Sequence, residues 1–377
     1  LQITIDARRI RDFGIGTYIR NLLPALAAAD PSIRYALVGF PGDREYFQNL
    51  PDTFRVHEYV RSDKHRLNHL AFPFFLRSLG SDVTHIPLNR IPLFMPRPYV
   101  VTIHDISNMH FQISTGLARH LSLYSFQRGL SRASRVIAVS EATRRDVVQQ
   151  LRIPPERVHL VYNALDPAFL KPRPLASAAE ETRRILERYQ IHDPYLLYAG
   201  HIRPQKNIPR LVEAFAVVRN RLQADPVFRN LKLLVLGDLI SKYPEVRRAV
   251  MQSRVEDRVR FLGFVPQDTL RVFYEHAEAF VFPSLYEGFG LAPLEAMSCG
   301  APVITSNTSS LPEVVGDAAV LVNPENVFEI ARGILEVLTN PVRRAELVAQ
   351  GRERARFFSW AEAARQVIDI YRLAYDG

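Results

Sequence analysis

The chain has 377 residues, 47% of them hydrophobic and 23% charged, and its 48 Lys and Arg against 39 Asp and Glu leave a formal net charge of +9. That length accommodates two domains with separate cores, while no run of about 18 apolar residues marks a membrane span and the one cysteine, Cys299, rules out an internal disulfide and suits a reducing cytoplasm. The positive balance calls for an anionic partner, a nucleotide or an acidic membrane surface. Nucleic acid is not expected, because zinc-ligand spacing, RNP-type aromatics and a helix-turn-helix signature are all missing.

Residues 1–7 alternate as a strand, which reads differently from a signal peptide. Gly14 and Gly16 then lead into an apolar-periodic helix over 17–28, with Tyr18, Ile19, Leu22, Leu23 and Leu26 on its inner face. A strand, a Gly-x-Gly and a helix fit two readings: a phosphate cradle, or a tight turn that lets the helix pack closely. Further strands are predicted over 34–40, 54–60, 82–86, 98–104, 135–139 and 157–162. Runs such as Tyr99-Val-Val-Thr-Ile are apolar without alternation, as in parallel strands buried on both faces. Helices are predicted over 117–133 and 141–151, the second capped by Ser140 with Glu141 in its first turn. His104 and Asp105 end the strand over 98–104, where ligands of open α/β sheets gather. Residues 61–79 mix basic side chains with leucines and phenylalanines. They suit a membrane-surface element or a helix packing its phenylalanines inward, and Pro73 argues against one unbroken helix.

The proline-rich segment 163–174 reads as the interdomain linker, and 175–190 as a helix leading into a second domain. That domain restarts with Tyr195-Leu-Leu-Tyr-Ala-Gly, then His201-Ile-Arg-Pro-Gln-Lys-Asn, then a helix ending near Leu222. Lys206 at the mouth of this turn offers a point charge to a diphosphate. Strands follow over 232–237, 259–264, 279–282, 301–305 and 318–322. After the strand over 279–282, Gly288 and Gly290 open a loop before a helix from Leu291 to the stop at Gly300, a strand-loop-helix arrangement suited to an anion. Glu287 precedes that helix and Glu295 lies inside it. If the segment were all helical the two acids would be about 12 Å apart, wider than the roughly 5–9.5 Å carboxylate pair of a glycosidase. Residues 359–374 form an amphipathic helix.

Four separated stretches resemble one family. They are Gly-Ile-Gly-x-Tyr from Gly14, Pro98-Tyr-Val-Val-Thr-Ile-His-Asp, Gly200-x-x-x-Pro-x-Lys-Asn, and Glu287-Gly-Phe-Gly-Leu-Ala-Pro-Leu-Glu with its following Ala-Met-x-Cys-Gly-Ala-Pro-Val-Ile. Together they are similar to the retaining glycosyltransferase family 4, which includes sucrose synthases and bacterial lipopolysaccharide and mannosyl transferases. The resemblance implies the α/β GT-B fold: two doubly wound Rossmann-like domains facing across a cleft, with a C-terminal helix crossing back. The expected divisions are 1–168, 169–357 and 358–377.

By resemblance, His104 and Glu287 meet the donor sugar, and Glu295 holds the ribose. Lys206 and Arg203 hold the diphosphate together with the backbone of Gly288, Phe289, Gly290 and Leu291. Gly263, Phe264 and Val265 border the base, and Gly14 and Gly16 approach the donor from the first domain. Many members have arginine where this chain has His201, itself expected beside the donor, which leaves the second phosphate clamp to Arg203 or the diphosphate to Lys206 with the helix dipole. His104, Glu287 and Lys206 are the expected catalytic set. No metal or other cofactor is expected, since no Asp-x-Asp cluster is present. The implied reaction moves a sugar, with GDP-mannose the expected donor, to a glycan or lipid-linked acceptor in polysaccharide biosynthesis. Cytoplasmic residence, peripheral to the inner face of the membrane, would follow. A sugar-nucleotide epimerase and a non-catalytic nucleotide-sugar sensor are the alternatives.

Overall fold

The computed structural model describes residues 1–377 except 63, 64, 66, 89, 112–116, 172, 174 and 239. The chain divides into two compact units, Leu1–Ala164 with Phe358–Gly377, and Leu165–Phe357. The division falls after Ala164, four residues before the expected one. The short helix Pro167–Leu170, capped where the Ala168 amide donates to Asp166 at 2.9 Å, sets Phe169 edge-on to Tyr274 in the second unit. Pro172 and Pro174 of the expected linker lie outside the described residues.

The first unit is a seven-stranded parallel sheet. Its strands are β1 (Gln2–Asp6), β2 (Arg34–Gly39), β3 (Phe54–Glu58), β4 (Val83–Ile86), β5 (Tyr99–Ile103), β6 (Arg135–Ala138) and β7 (Val158–Leu160), in the order β3-β2-β1-β4-β5-β6-β7. Central β4 and β5 are buried along their whole length, whereas edge strand β3 is mostly exposed. That difference is why the inner strands read as unbroken apolar runs. Helix Glu141–Gln150 is capped by Ser140, whose buried hydroxyl accepts from the Thr143 amide at 3.0 Å.

Helix Asn68–Ser78 corrects one expectation, because it runs straight through Pro73. The proline is the sixth of the helix's 11 residues, so it forfeits the bond to the His69 carbonyl, and its buried ring offsets part of that loss. The same helix divides its phenylalanines: Phe72 is buried and Phe74 is 75% exposed. Asp63, Lys64 and Arg66 of this stretch lie outside the described residues. Helix Trp360–Asp376 buries Trp360, Val367, Ile368 and Tyr371 in the first unit and is tied by Arg372 to Asp30 at 2.8 Å.

The second unit repeats the plan with six parallel strands. They are β8 (Tyr195–Ala199), β9 (Lys232–Leu236), β10 (Val259–Gly263), β11 (Ala279–Phe282), β12 (Val303–Ser306) and β13 (Ala319–Val322), ordered β10-β9-β8-β11-β12-β13. In each sheet the chain reverses its direction of growth once, beside β1 and β4 in the first and beside β8 and β11 in the second. Loops leaving the carboxyl ends of such neighbouring strands diverge and open a crevice. Those loops hold most of the predicted site residues.

Candidate functional site

In the second unit the crevice starts with a close passage of backbones. Gly200 (φ 150°) and Gly237 (φ 143°) follow β8 and β9, and a Cβ on Gly237 would lie 2.0 Å from the Gly200 carbonyl oxygen. Only glycine fits there. The chain then makes the short turn Pro204–Lys206 and enters the left-handed region at Asn207 (φ 60°) before helix Ile208–Leu222. The buried Asn207 amide donates to the carbonyls of Pro283 at 3.0 Å and Pro324 at 2.6 Å, and the Leu285 amide donates to Gln205 at 2.7 Å. The loop after β8 is thus bolted to the loop after β11, on the opposite side of the switch point.

The second loop is braced from behind. Ser309 accepts from the Glu287 amide at 2.9 Å, and the Ser310 hydroxyl donates to the carbonyls of Glu287 and Phe289 at 2.9 and 2.7 Å. Held by these two sets of bonds, Lys206 and Glu287 meet as an ion pair, Nζ to Oε1 at 2.5 Å, with side chains 17% and 12% exposed. The ammonium also lies 5.0 Å from the centre of the Phe282 ring. Such a largely sheltered pair is poorly screened by water, so its charges act strongly on any group brought beside them.

His201 faces the β9 side. Its Nδ1 is 3.1 Å from Asp238, its ring edge meets Phe264 at 5.4 Å, and the Ile202 amide donates to the same Asp238 oxygen at 2.8 Å. Burial works against the charge on Asp238, but the Ile202 amide and the His201 ring outweigh it and hold the carboxyl below the usual range. Arg203 is exposed and has no hydrogen-bond or ion-pair partner among the described residues. Gly263 (φ 73°) has open space where a Cβ would be, and Phe264 beside it is 52% exposed. Gly290 (φ 112°) starts helix Leu291–Ser298 with no side-chain cap, and a Cβ there would press on Leu311 at 2.9 Å. Glu295 lies on this helix. Burial pushes its carboxyl up to about 7, the Tyr274 hydroxyl at 3.1 Å pulls it back, and Asp166 adds to the rise.

The first unit places His104 just after β5. Burial holds its imidazole down at about 4, so it is neutral at physiological pH; Asp105 and a bond to the Pro87 carbonyl act the other way. Its Nε2 is buried with no hydrogen-bond partner among the described residues. Tyr18 stands edge-on to the His104 ring at 4.8 Å, and its hydroxyl is 3.1 Å from Thr102. Thr102 in turn meets His85 at 2.8 Å, and His85 meets Tyr371 at 2.7 Å. Gly14 (φ 72°) caps helix Ile15–Ala29 beside open space, whereas a Cβ on Gly16 would lie 2.4 Å from the Ile10 carbonyl oxygen. Gly16 therefore serves the close-packing reading on its own evidence, and Gly14 leaves its backbone approachable.

Residues 14–169 match Glycosyltransferase Family 4, and residues 181–354 match Glycosyl transferases group 1. The O-antigen chain mannosyltransferase B of Escherichia coli is 32% identical over 306 residues, 79% of this chain and 76% of that one. This chain belongs to glycosyltransferase family 4. Among solved structures, sucrose-phosphate synthase of Thermosynechococcus elongatus aligns with a TM-score of 0.76 at 22% identity, over 100% of this chain and 99% of that one. Anabaena HepE in complex with UDP-glucose aligns with a TM-score of 0.75 at 19% identity, over 98% of each chain. These likenesses establish the two-Rossmann-domain GT-B fold.

In this glycosyltransferase several residues that arrange the site carried no predicted role. Asn207 stood inside a quoted motif, and an asparagine able to take the left-handed conformation directly before a helix was its signal. Asp238, which orients His201, follows a strand-ending glycine, but nothing local says that it turns towards β8. Ser309 and Ser310 sit after β12, and Tyr274 lies on the helix before β11. Their hydrogen bonds span about 20 residues or more of sequence, beyond the reach of periodicity. Among the described residues of the glycosyltransferase, no group of three or more His, Cys, Asp or Glu could hold a metal ion, and no helix is long and apolar enough to cross a membrane.

Proposed function

We propose that this glycosyltransferase transfers mannose, with retention, from GDP-mannose to a glycan or lipid-linked acceptor. The observation that carries the reading is the Lys206–Glu287 pair at the β8/β11 switch point, with Glu295 further along the same strand-loop-helix. Breaking the bond from the sugar's anomeric carbon to the diphosphate leaves negative charge on the leaving oxygens, and fixed cations and amides stabilise that charge. Lys206 and Arg203 supply the cations, His201 borders them, and the Gly288–Leu291 backbone supplies amides. Glu287, relieved of Lys206 by the incoming diphosphate, takes sugar hydroxyls. Glu295 accepts the ribose diol, and the exposed Phe264 ring with Gly263 and Val265 flanks the base. In the first unit, the unpartnered Nε2 of His104 is an acceptor for a sugar hydroxyl, and the Gly14 backbone serves approach to the donor while Gly16 lets the helix pack closely behind it. The acceptor hydroxyl bonds to the anomeric carbon on the face the diphosphate leaves, and its proton goes to the departing phosphate.

Mannose is supported by the named activity of the Escherichia coli relative, and a nucleotide-sugar donor by the ligand of the Anabaena protein. Leu67, Leu70 and Phe74, exposed at 57, 62 and 75% beside Arg61, His65 and Arg77, suit an anionic lipid surface where a lipid-linked acceptor would be held. Donor turnover with and without crude lipid acceptors, over a series of nucleotide sugars, tests the proposal. It expects acceptor-dependent release of GDP and an α-linked product by NMR. Acceptor-independent conversion of the sugar, an inverted product or a response to UDP donors alone would reject it. Flotation on anionic liposomes tests the lipid surface, and absence of retention at low salt removes it.

A further inference from the structure

At the carboxyl end of helix Leu291–Ser298, away from the Glu287 loop, lies a hollow of about 470 Å³ bordered by Lys171, Arg271, Glu275, Cys299, Arg352 and Arg356. Its charges do not balance. Glu275 is the one acid there, and both its oxygens are taken, by Arg271 at 2.9 Å and Arg173 at 2.8 Å. Arg271 is satisfied further by the Ala168 carbonyl at 2.9 Å. Lys171, Arg352 and Arg356 have no side-chain hydrogen bond or ion pair among the described residues.

Other arginines of helix Pro341–Phe357 behave differently. Arg343 pairs with Glu346 at 3.3 Å, Arg344 pairs with Glu278, and Arg354 donates to the Val314 carbonyl at 2.8 Å. Arg352 and Arg356 are instead one helical turn apart, like charges on one face, and Glu353 between them pairs with neither. Arg352 lies against Gly300 (φ 85°), where a Cβ would meet its Nη2 at 2.6 Å. A side chain at that position would push the guanidinium away.

We propose that this hollow is a second anion site, distinct from the Lys206 loop, for a phosphate group carrying two or more negative charges. Two guanidinium forks and an ammonium facing one space match several phosphate oxygens at once, and bidentate forks favour phosphate over a simple halide. The surrounding chain gives the site a consequence. Lys171 follows soon after Leu165, where the chain enters this unit, and Arg356 immediately precedes Phe357, where it leaves. A bound phosphate would tie these two segments together and stabilise the unit. The inference stands apart from the donor reading, since it uses none of the donor residues.

Calorimetric titration with inorganic pyrophosphate, and in parallel flotation on vesicles containing phosphatidic acid, tests it on the full chain. The wild type, Lys206→Ala and the double variant Arg352→Gln/Arg356→Gln are compared. In either arm, the double variant should bind about tenfold or more weakly than wild type while Lys206→Ala keeps this binding. The variant Arg352→Lys/Arg356→Lys should recover only part of it. Loss in the pyrophosphate arm identifies a free phosphate ester as ligand, and loss confined to vesicles identifies a lipid headgroup. Binding of both probes unchanged in the double variant, in a protein whose Tm shows it folded, or no binding by wild type, would overturn the proposal.

Discussion

The two units share one topology and put opposite chemistry at the carboxyl ends of their strands. The second brings a lysine and a glutamate to 2.5 Å, leaves Arg203 exposed and surrounds them with hydrogen-bonded loops. The first offers a neutral imidazole with an unpartnered nitrogen, backed by Tyr18 and, through Thr102, by His85 and Tyr371. The fold supplies a crevice in both cases, and the side chains determine what it can hold. Charge in a sheltered setting suits a diphosphate, whereas an uncharged acceptor suits a hydroxyl and repels nothing. Two copies of one architecture can therefore differ in what they hold by side-chain chemistry alone.

The sharpest way to break that contrast is Glu287→Ala. Turnover should fall by about 10²–10³ or more, with the circular dichroism spectrum retained; near-normal activity would remove Glu287 from the reaction. Next in size is Lys206→Ala, expected to weaken nucleoside diphosphate binding about 10–100-fold in calorimetry. Equal affinity would mean that the ion pair is structural.

His104→Ala should lower kcat/KM about tenfold and test the neutral half of the comparison. Burial holds His104 at about 4, below its ordinary 6.5, so its contribution persists above pH 5 and is lost only as the pH falls through about 4. A limb near pH 6.5 in the pH–rate profile that disappears in His104→Gln would contradict a neutral imidazole. The smallest effect is on stability. Glu295 has its carboxyl raised from 4.5 to about 7, so its contribution is present below pH 4.5 and lost as the pH rises through about 7. Glu295→Gln should therefore gain on wild type between pH 5 and 8, by ~1–3 kcal/mol in denaturant titration. An equal gain at pH 4 would disprove the buried carboxylate as its cause.

Much of this was legible from residue order. Tyr99-Val-Val-Thr-Ile could be placed as a buried parallel strand because both faces of such a strand are covered, and Ser140 could be placed as a cap because its hydroxyl matches an orphan amide. Pro73 misled, since its ring is buried in tertiary packing that local propensity does not register. Asp238, Ser309 and Tyr274 were silent, for they act across loops that adjoin only after the sheet has formed.

The sequence by itself determined where the strands and helices lie, that there are two of these sheets, and which residue types end each strand, because periodicity, glycine conformation and capping are local. The tertiary structure decided which of those ends share a crevice. Strand order, set by how parallel strands cross over, brought Lys206 to Glu287 across 81 positions and turned His201 towards Asp238. It also left Arg352 and Arg356 facing a hollow with no acid to spare. Coulomb interactions and hydrogen bonds depend on distance in space, and the sheet fixes that distance.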